Sequence, residues 1–294
     1  MRGIVLAGGA GTRLYPMTLV ASKQLQPVFD KPMIYYPLAT LLENGIREVC
    51  LISTPVDLPR FEQLLGDGSR WGATIEYRVQ PEPRGIAEAL LIGESFLAGE
   101  ACALILGDNI FYGGRELAAA FTAFQAGATI FGYRVSDPER YGVVEFSGDG
   151  KAISIEEKPR TPRSSFAIPG LYLYDSEASD IARHLTRSSR GELEISDVNR
   201  VYLERGRLSV VKLSRGFAWL DAGTSSSLHD TSAYVQTIER RQGIKIGCPE
   251  EIAFRRGYIS AEDFRRLVEA MPCCEYRDYL AGIVRDFEED GSRT

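Results

Sequence analysis

The residues of this chain that could do chemistry stand at the ends of short apolar runs. The run from Ile4 to Ala7 gives way to Gly8-Gly9-Ala10-Gly11-Thr12-Arg13. Glycines in such a loop let backbone N–H groups approach and cradle phosphate oxygens, and Arg13 with Lys23 adds cations to the same stretch. The run that ends at Leu106 gives way to Gly107-Asp108-Asn109, and Trp219-Leu220 leads into Asp221-Ala222-Gly223-Thr224. Two aspartates that converge suffice for Mg²⁺, which takes one or two carboxylates and completes its octahedron with phosphates and water. A fourth group, Glu156-Glu157-Lys158-Pro159, offers a carboxylate to accept from hydroxyls and an amine to meet a phosphate. Gln80-Pro81 adds an amide able to pair with a base edge, and Gly85 admits close backbone approach. Taken singly, each group is equally an ordinary feature: a glycine turn, aspartates that form turns or cap helices, a solvated strand edge.

What is missing narrows the chemistry. The two histidines, His184 and His229, lie outside all these loops, and no Ser-His-Asp or Cys-His set is visible. A reaction between two phosphates needs none, because a phosphate oxygen is already ionised at neutral pH. The difficulty is bringing two anions together and spreading charge in the transition state, which Mg²⁺, Arg and Lys do. The dinucleotide fingerprint Gly-x-Gly-x-x-Gly fails, since Leu14 takes the third glycine's place after Gly9 and Gly11, and the Walker loop is absent. With 34 Lys and Arg against 40 Asp and Glu, the net charge of -6 argues against broad nucleic-acid binding. The five cysteines are an odd number without zinc spacing, and Cys50 and Cys102 sit inside apolar runs, as buried small hydrophobes do. No apolar stretch approaches the ~20 residues of a membrane span, and the N-terminus turns glycine-rich too early for a signal peptide. These features point to a reducing, aqueous compartment, the cytoplasm, and to no membrane partner.

The elements that must position these groups alternate. Strands are expected over Ile4–Ala7, Glu48–Ser53, Thr74–Val79, Ala101–Leu106 and Ala128–Val135, and helices over Pro32–Asn44, Leu58–Leu65, Ala87–Leu97 and Glu116–Gln125. That alternation implies crossover units, so the fold class is α/β: a Rossmann-like, mainly parallel sheet flanked by helices. The middle reads as inserted strands, Gly142–Ser147, Ala152–Glu156, Leu171–Tyr174 and Leu208–Leu213, walling a cleft. From Thr224 the pattern is helical, over Ser227–Arg241, Ala261–Ala270 and Tyr276–Phe287. Residues 1–225 are therefore expected to form a catalytic α/β domain with a sugar-binding part at about 136–215. Residues 226–294 are expected to form a helical appendage packed on the same unit. Ligands in such sheets bind outside the carboxyl ends of the strands, where Gly8, Asp108 and Asp221 stand.

In order and spacing the segments Leu6–Leu14, Ser22–Pro27, Asp30–Pro37, Leu106–Asn109, Tyr141–Glu145, Glu156–Pro159, Gly191–Ile195 and Trp219–Asp221 resemble the glucose-1-phosphate thymidylyltransferases of the short form. The likeness covers nearly the whole chain. It implies an enzyme that joins dTTP, or UTP, to α-D-glucose 1-phosphate, giving the nucleotide sugar and pyrophosphate, the first step toward deoxysugar nucleotides. It implies Arg13 and Lys23 on the triphosphate and pyrophosphate, Asp108 and Asp221 as Mg²⁺ ligands, and Lys158 on the sugar phosphate. Gln80 and Gly85 fall at base-reading positions, with Leu6, Gly8, Gly9, Gly11 and Thr12 against the nucleotide. Asn109, Gly142, Glu157, Gly170, Tyr172 and Trp219 fall around the sugar. The resemblance further implies a homotetramer and feedback by a dTDP-deoxysugar at a second site formed by Tyr112, Gly113, Arg215, Cys248, Glu251 and Ile252. Arg84, Glu88, Pro169, Gly114 and Ala222 depart from the usual residues; Arg84 and Glu88 alter the charge beside the expected nucleotide pocket. A nucleotide-sugar sensor without activity would lack the aspartates or the cations, and all are present.

Overall fold

The computed structural model describes residues 1–9 and 11–291; Ala10 of the glycine loop and residues 292–294 of the expected helical appendage lie outside them. The first half contains β1 (Arg2–Leu6), the short hairpin β2 (Pro27–Val28) and β3 (Lys31–Pro32), α1 (Tyr35–Glu43), β4 (Glu48–Ser53), α2 (Leu58–Leu65) and β5 (Thr74–Val79). It continues with α3 (Glu88–Ile92), α4 (Glu94–Leu97), β6 (Cys102–Leu106), β7 (Asn109–Tyr112), α5 (Glu116–Ala123) and β8 (Ala128–Arg134). Then come β9 (Gly142–Phe146), β10 (Ala152–Glu157), β11 (Phe166–Ala167), β12 (Leu171–Tyr174), α6 (Ala178–Arg183), α7 (Ile195–Glu204), β13 (Leu208–Lys212) and β14 (Ala218–Asp221). Four helices close the chain: α8 (Ser225–Gln242), α9 (Pro249–Arg255), α10 (Ala261–Glu269) and α11 (Glu275–Gly291).

One ten-stranded sheet carries the site, in the order β10-β9-β11-β8-β12-β6-β1-β4-β5, with β13 also on β8. The neighbours β5, β4, β1 and β6 are parallel, β12 runs against both β6 and β8, and β13 is parallel to β8. Only β10, β11 and β12 therefore oppose the common direction. Alternation along β1 explains the two layers: Val5 and Ala7 join the core under α1 and α2, while Ile4 and Leu6 join the one under α3, α6 and α7. Cys50 and Cys102 are fully buried in that second core, and burial pushes both thiols up to about 12.

Two departures from the sequence expectation have local causes. The helix expected from Pro32 starts at Tyr35, because Lys31 and Pro32 pair back onto Pro27 and Val28. The helix expected over Ala87–Leu97 is broken at Gly93, a poor helix residue whose absent side chain leaves room for Ile4. Between Gly11 and Pro27 the chain forms only single 3₁₀ turns, at Thr12–Leu14, Met17–Leu19 and Lys23–Leu25, as the prolines at 16 and 27 require.

Two features of the sheet open the cleft. Ile168-Pro169-Gly170 separates β11, which pairs with β9, from β12, which pairs with β6. The Ile168 N–H donates to Gly142 and Gly170 accepts from Leu106, so the seam holds both walls together. The ribbon β7–β14 then crosses the mouth, with Asp221 directly opposite Asn109. Among the described residues no helix is long and apolar enough to cross a membrane.

Candidate active site

The register of β7 and β14 brings two carboxylates together that lie far apart in sequence. Asp108 precedes β7 and Asp221 ends β14, and both reach the ammonium of Lys23, at 2.6 Å and 3.6 Å. Lys23 is held almost fully buried by its 3₁₀ turn. Burial disfavours the Asp108 charge, but Lys23 and the Asn109 amide outweigh it and hold the carboxyl below its ordinary range. Asp221 moves the other way, raised first by burial and then by the negative charge of Asp108. The two convergent carboxylates share Lys23, and Asp221 also has Arg140 at 3.9 Å, at the floor of an open cavity. The pair fits a hard divalent cation held by two carboxylates, with phosphate and water filling the remaining positions. Among the described residues no third His, Cys, Asp or Glu joins them.

Asn109 fixes this pair. Its amide nitrogen donates to Asp108 Oδ1 at 2.8 Å, and its oxygen accepts from the Trp219 indole N–H at 2.7 Å and from the Gly170 N–H at 2.9 Å. Both donors on one side fix the amide's orientation. Immediately beyond Asp221, Thr224 and Ser227 cap α8 reciprocally, anchoring the chain that leaves the C-terminal end of β14.

A cavity of about 400 Å³ opens over this pair. All seven sugar positions expected from the sequence line it: Asn109, Gly142, Glu157, Lys158, Gly170, Tyr172 and Trp219. Glu157 is bracketed by the Ser196 hydroxyl at 2.5 Å, by Arg190 at 3.6 Å and by Lys158 at 3.7 Å. A Cβ on Gly142 would stand 3.0 Å from Ser196 Oγ and 3.2 Å from Glu157, so glycine leaves this carboxylate open to the cavity. Lys158 has φ 44°, a left-handed conformation that costs a non-glycine residue energy. The Tyr141 ring stands edge-on to Trp219, and its hydroxyl is pushed up to about 12 by burial and then by Asp221.

A second compartment of about 260 Å³ adjoins the first and is lined by Gly8, Gly9, Gly11, Thr12, Arg13, Lys23 and Asp108. Gly11 has φ 56°, and a side chain there would strike Thr18 at 2.7 Å, which accounts for glycine. Arg13 and Asp108 line both compartments. Gln80, Gly85 and Leu6 are not in either wall beside the phosphate loop; Gln80 stands behind Gly8, where a Cβ would meet its Oε1 at 3.0 Å. Gly85 packs backbone to backbone against Leu193, with space for no side chain.

A larger cavity, about 740 Å³, lies away from the aspartates, between α1, α9 and the Gly113 turn. Tyr112, Gly113, Glu251 and Ile252 line it, together with Lys245, Arg255 and Arg256. Arg215 is not among its lining residues, and the buried Cys248 thiol instead meets Tyr276 at 3.2 Å. Sequence reasoning passed over Arg140, Arg190 and Ser196, which lie one residue outside the segments Tyr141–Glu145 and Gly191–Ile195. Arg140 lines the sugar-side cavity and stands 3.9 Å from Asp221.

Known proteins resemble this chain in sequence and fold. A profile described as nucleotidyl transferase matches residues 2–238. Glucose-1-phosphate thymidylyltransferases of Xanthomonas campestris and Mycobacterium tuberculosis are 52% and 53% identical over 286 residues, covering 97% of this chain and 97% and 99% of theirs. A Bacillus anthracis structure assigned to the same activity and solved with sucrose is 42% identical, with a TM-score of 0.74 over 80% of this chain and 94% of its own. A UDP-glucose pyrophosphorylase solved with UDP-glucose, at 21% identity and a TM-score of 0.71, shares the fold across 80% of this chain and 98% of its own. By sequence and by fold, the chain belongs to the nucleotidyl transferase family, among the relatives of the glucose-1-phosphate thymidylyltransferases.

Proposed function

We propose that the chain makes dTDP-glucose and pyrophosphate from dTTP and α-D-glucose 1-phosphate. The observation that carries this reading is the meeting of two compartments, one glycine-walled and cationic, one polar and about 400 Å³ in volume, at a shared Arg13 and Asp108. A sugar phosphate oxygen forms the new bond to the α-phosphorus as the bond to the departing pyrophosphate breaks, in line. Gly8, Gly9, Gly11 and Thr12 border the nucleotide, and Arg13 and Lys23 balance the charge of the triphosphate and leaving group. Lys158 holds the attacking phosphate, so two anions approach over a surface lined with cations. Glu157, with Gly142, Gly170 and Tyr172, receives the sugar hydroxyls, and Trp219 closes that wall. Asn109, whose oxygen accepts two hydrogen bonds, serves the site by holding Asp108.

Asp108 and Asp221 would hold Mg²⁺. The bound ion supplies Lewis-acid neutralisation of the phosphates. The larger cavity, with Glu251 and Ile252 of α9 in its wall, suits a second ligand, and we assign it to a dTDP-deoxysugar acting as feedback inhibitor on a cytoplasmic homotetramer. The helices from residue 226 onward supply part of this wall.

The test is pyrophosphate release with Mg²⁺ from dTTP and UTP against glucose, galactose and glucosamine 1-phosphates. Release that requires both substrates and stops with EDTA is expected, fastest with dTTP and glucose 1-phosphate. Binding of both substrates without release would overturn the catalytic reading in favour of a nucleotide-sugar sensor.

A further inference from the structure

Cys273 and Cys274 stand side by side between α10 and α11, exposed, and neither lines a cavity described above. The other three cysteines are buried, and burial pushes each of those thiols up, so they do not compete as nucleophiles. One helical turn on, the Arg277 guanidinium donates to Cys273 Sγ at 3.0 Å. A cation therefore stands where an attacking sulfur carries its charge. The pair also opens α11: the Cys274 carbonyl accepts from the Asp278 N–H at 3.0 Å. Two tyrosines in the first turns of α11 then hold it to α9. The Tyr276 hydroxyl donates to Glu250 at 2.6 Å and the Tyr279 hydroxyl to Glu251 at 2.5 Å.

We propose that Cys273 and Cys274 form a thiol–disulfide switch, closed by low-molecular-weight disulfides, that governs how α11 docks on α9. The Cys273 sulfur attacks a disulfide RSSR, forming a Cys273–SR bond and releasing RS⁻. Cys274 then attacks the Cys273 sulfur, forming the Cys273–Cys274 bond and releasing the second RS⁻. Two electrons pass from the pair to the disulfide, and the two thiol protons leave with two RSH. The resulting ring is strained by its size. Adjacent Cα atoms lie about 3.8 Å apart across a trans peptide, whereas disulfides favour about 4.4–6.8 Å. Thiols readily reopen a strained, exposed disulfide, so the pair follows the surrounding thiol balance rather than stapling the fold. Closing the ring changes the backbone angles on both sides of the 273–274 peptide and takes Cys273 from Arg277. The Cys274 carbonyl is thereby drawn from the Asp278 N–H, the first turn of α11 frays, and Tyr276 and Tyr279 loosen from their carboxylates.

The experiment treats the full chain with oxidised glutathione, alkylates the remaining thiols and weighs the peptide that spans both cysteines. A loss of about two mass units is expected in that peptide, with neither thiol alkylated and both restored by dithiothreitol. In Cys274→Ser the reaction should stop at a glutathione adduct on Cys273. In Cys273→Ser the adduct on Cys274 should form about threefold or more slowly, since Arg277 attends the other sulfur. Amide hydrogen exchange over residues 275–280 should rise about tenfold in the oxidised wild type and return on reduction. Thiols that stay fully alkylable in the wild type, or that stop there at a glutathione adduct, overturn the switch. A ring that closes with exchange unchanged also overturns it, because α11 would have stayed docked. Equal rates in the two serine variants overturn the assignment of Cys273 as the attacking sulfur.

Discussion

Replacing Asn109 with alanine distinguishes a strut from a substrate contact. In the intact protein its oxygen accepts from Trp219 Nε1 at 2.7 Å and Gly170 N at 2.9 Å, and its nitrogen donates to Asp108 at 2.8 Å. Truncation leaves two donors without an acceptor in a region where Asn109 itself is only 4% exposed. Each buried unsatisfied group costs about 1–3 kcal/mol, and the adjoining cavity admits water to part of the gap, so a loss of about 2–4 kcal/mol is expected. Trp219→Phe removes one donor and leaves Oδ1 its bond from Gly170, so it should cost only about 1 kcal/mol. In the double variant a single donor is orphaned. Its destabilisation should therefore fall short of the sum of the singles by about 1–2 kcal/mol. Urea midpoints at constant m-value give the stabilities, and pyrophosphate release gives turnover. The strut reading expects turnover in Asn109→Ala to drop with the stability, as Asp108 loses its orientation. A stability loss under about 1 kcal/mol, with only the KM for the sugar phosphate raised, would refute it and make Asn109 a direct sugar contact.

Three further perturbations follow from the same geometry. Asp108→Asn should lower turnover by about a hundredfold or more with the fold intact by circular dichroism, since it removes half of the carboxylate pair; full activity with Mg²⁺ would overturn the metal assignment. Gly142→Ala puts a methyl 3.2 Å from Glu157 and should raise the KM for glucose 1-phosphate about tenfold while sparing that for dTTP. An equal rise in both constants would show that the glycine serves the backbone rather than the sugar. Lys158→Gly relieves the left-handed backbone at φ 44° and should raise stability by about 0.5–1 kcal/mol while lowering kcat/KM for the sugar phosphate. Unchanged kinetics would remove Lys158 from the attacking phosphate.

How much of this could be read beforehand depended on whether the signal was local. The strands Glu48–Ser53, Thr74–Val79 and Leu171–Tyr174 and the helix Leu58–Leu65 fall where their apolar patterns put them: Val49–Ser53 and Leu171–Tyr174 are continuous buried runs, Ile75 is the buried point of an edge strand, and Leu58, Phe61 and Leu65 make one buried stripe. The seven sugar-side positions line one cavity, although Glu157 and Tyr172 stand on the opposed strands β10 and β12, and Asn109 and Trp219 on the β7–β14 ribbon, where the rule for parallel strand ends does not reach. By contrast β14 is four residues without alternation, and only its pairing with β7 makes it a strand. The helix α7 carries a readable stripe in Ile195, Val198 and Tyr202, but the buried Ser196 and Asn199 interrupt it, and its Glu194 start makes no side-chain cap.

The residues that sequence reasoning passed over share a cause. Arg140 and Arg190 lie at turns and Ser196 in the first turn of α7, and a polar or charged residue in such a place reads as solvated surface until the opposing wall is known. That wall is supplied from elsewhere in the chain: Asp221 for Arg140, and Glu157 for both Arg190 and Ser196. The convergence of Asp108 with Asp221 has the same character, since it depends on the register that sets Asp221 opposite Asn109. A one-residue slip of β14 would turn Asp221 to the other face of the ribbon, away from Lys23. The cap of α8 at Thr224 and the indole of Trp219 on Asn109 both oppose that slip. The geometry of the Asp108–Asp221 pair therefore depends on restraints supplied by groups outside the pair. Weakening either restraint should cost turnover before it costs the fold, because a shift too small to unfold the sheet is enough to separate the two carboxylates.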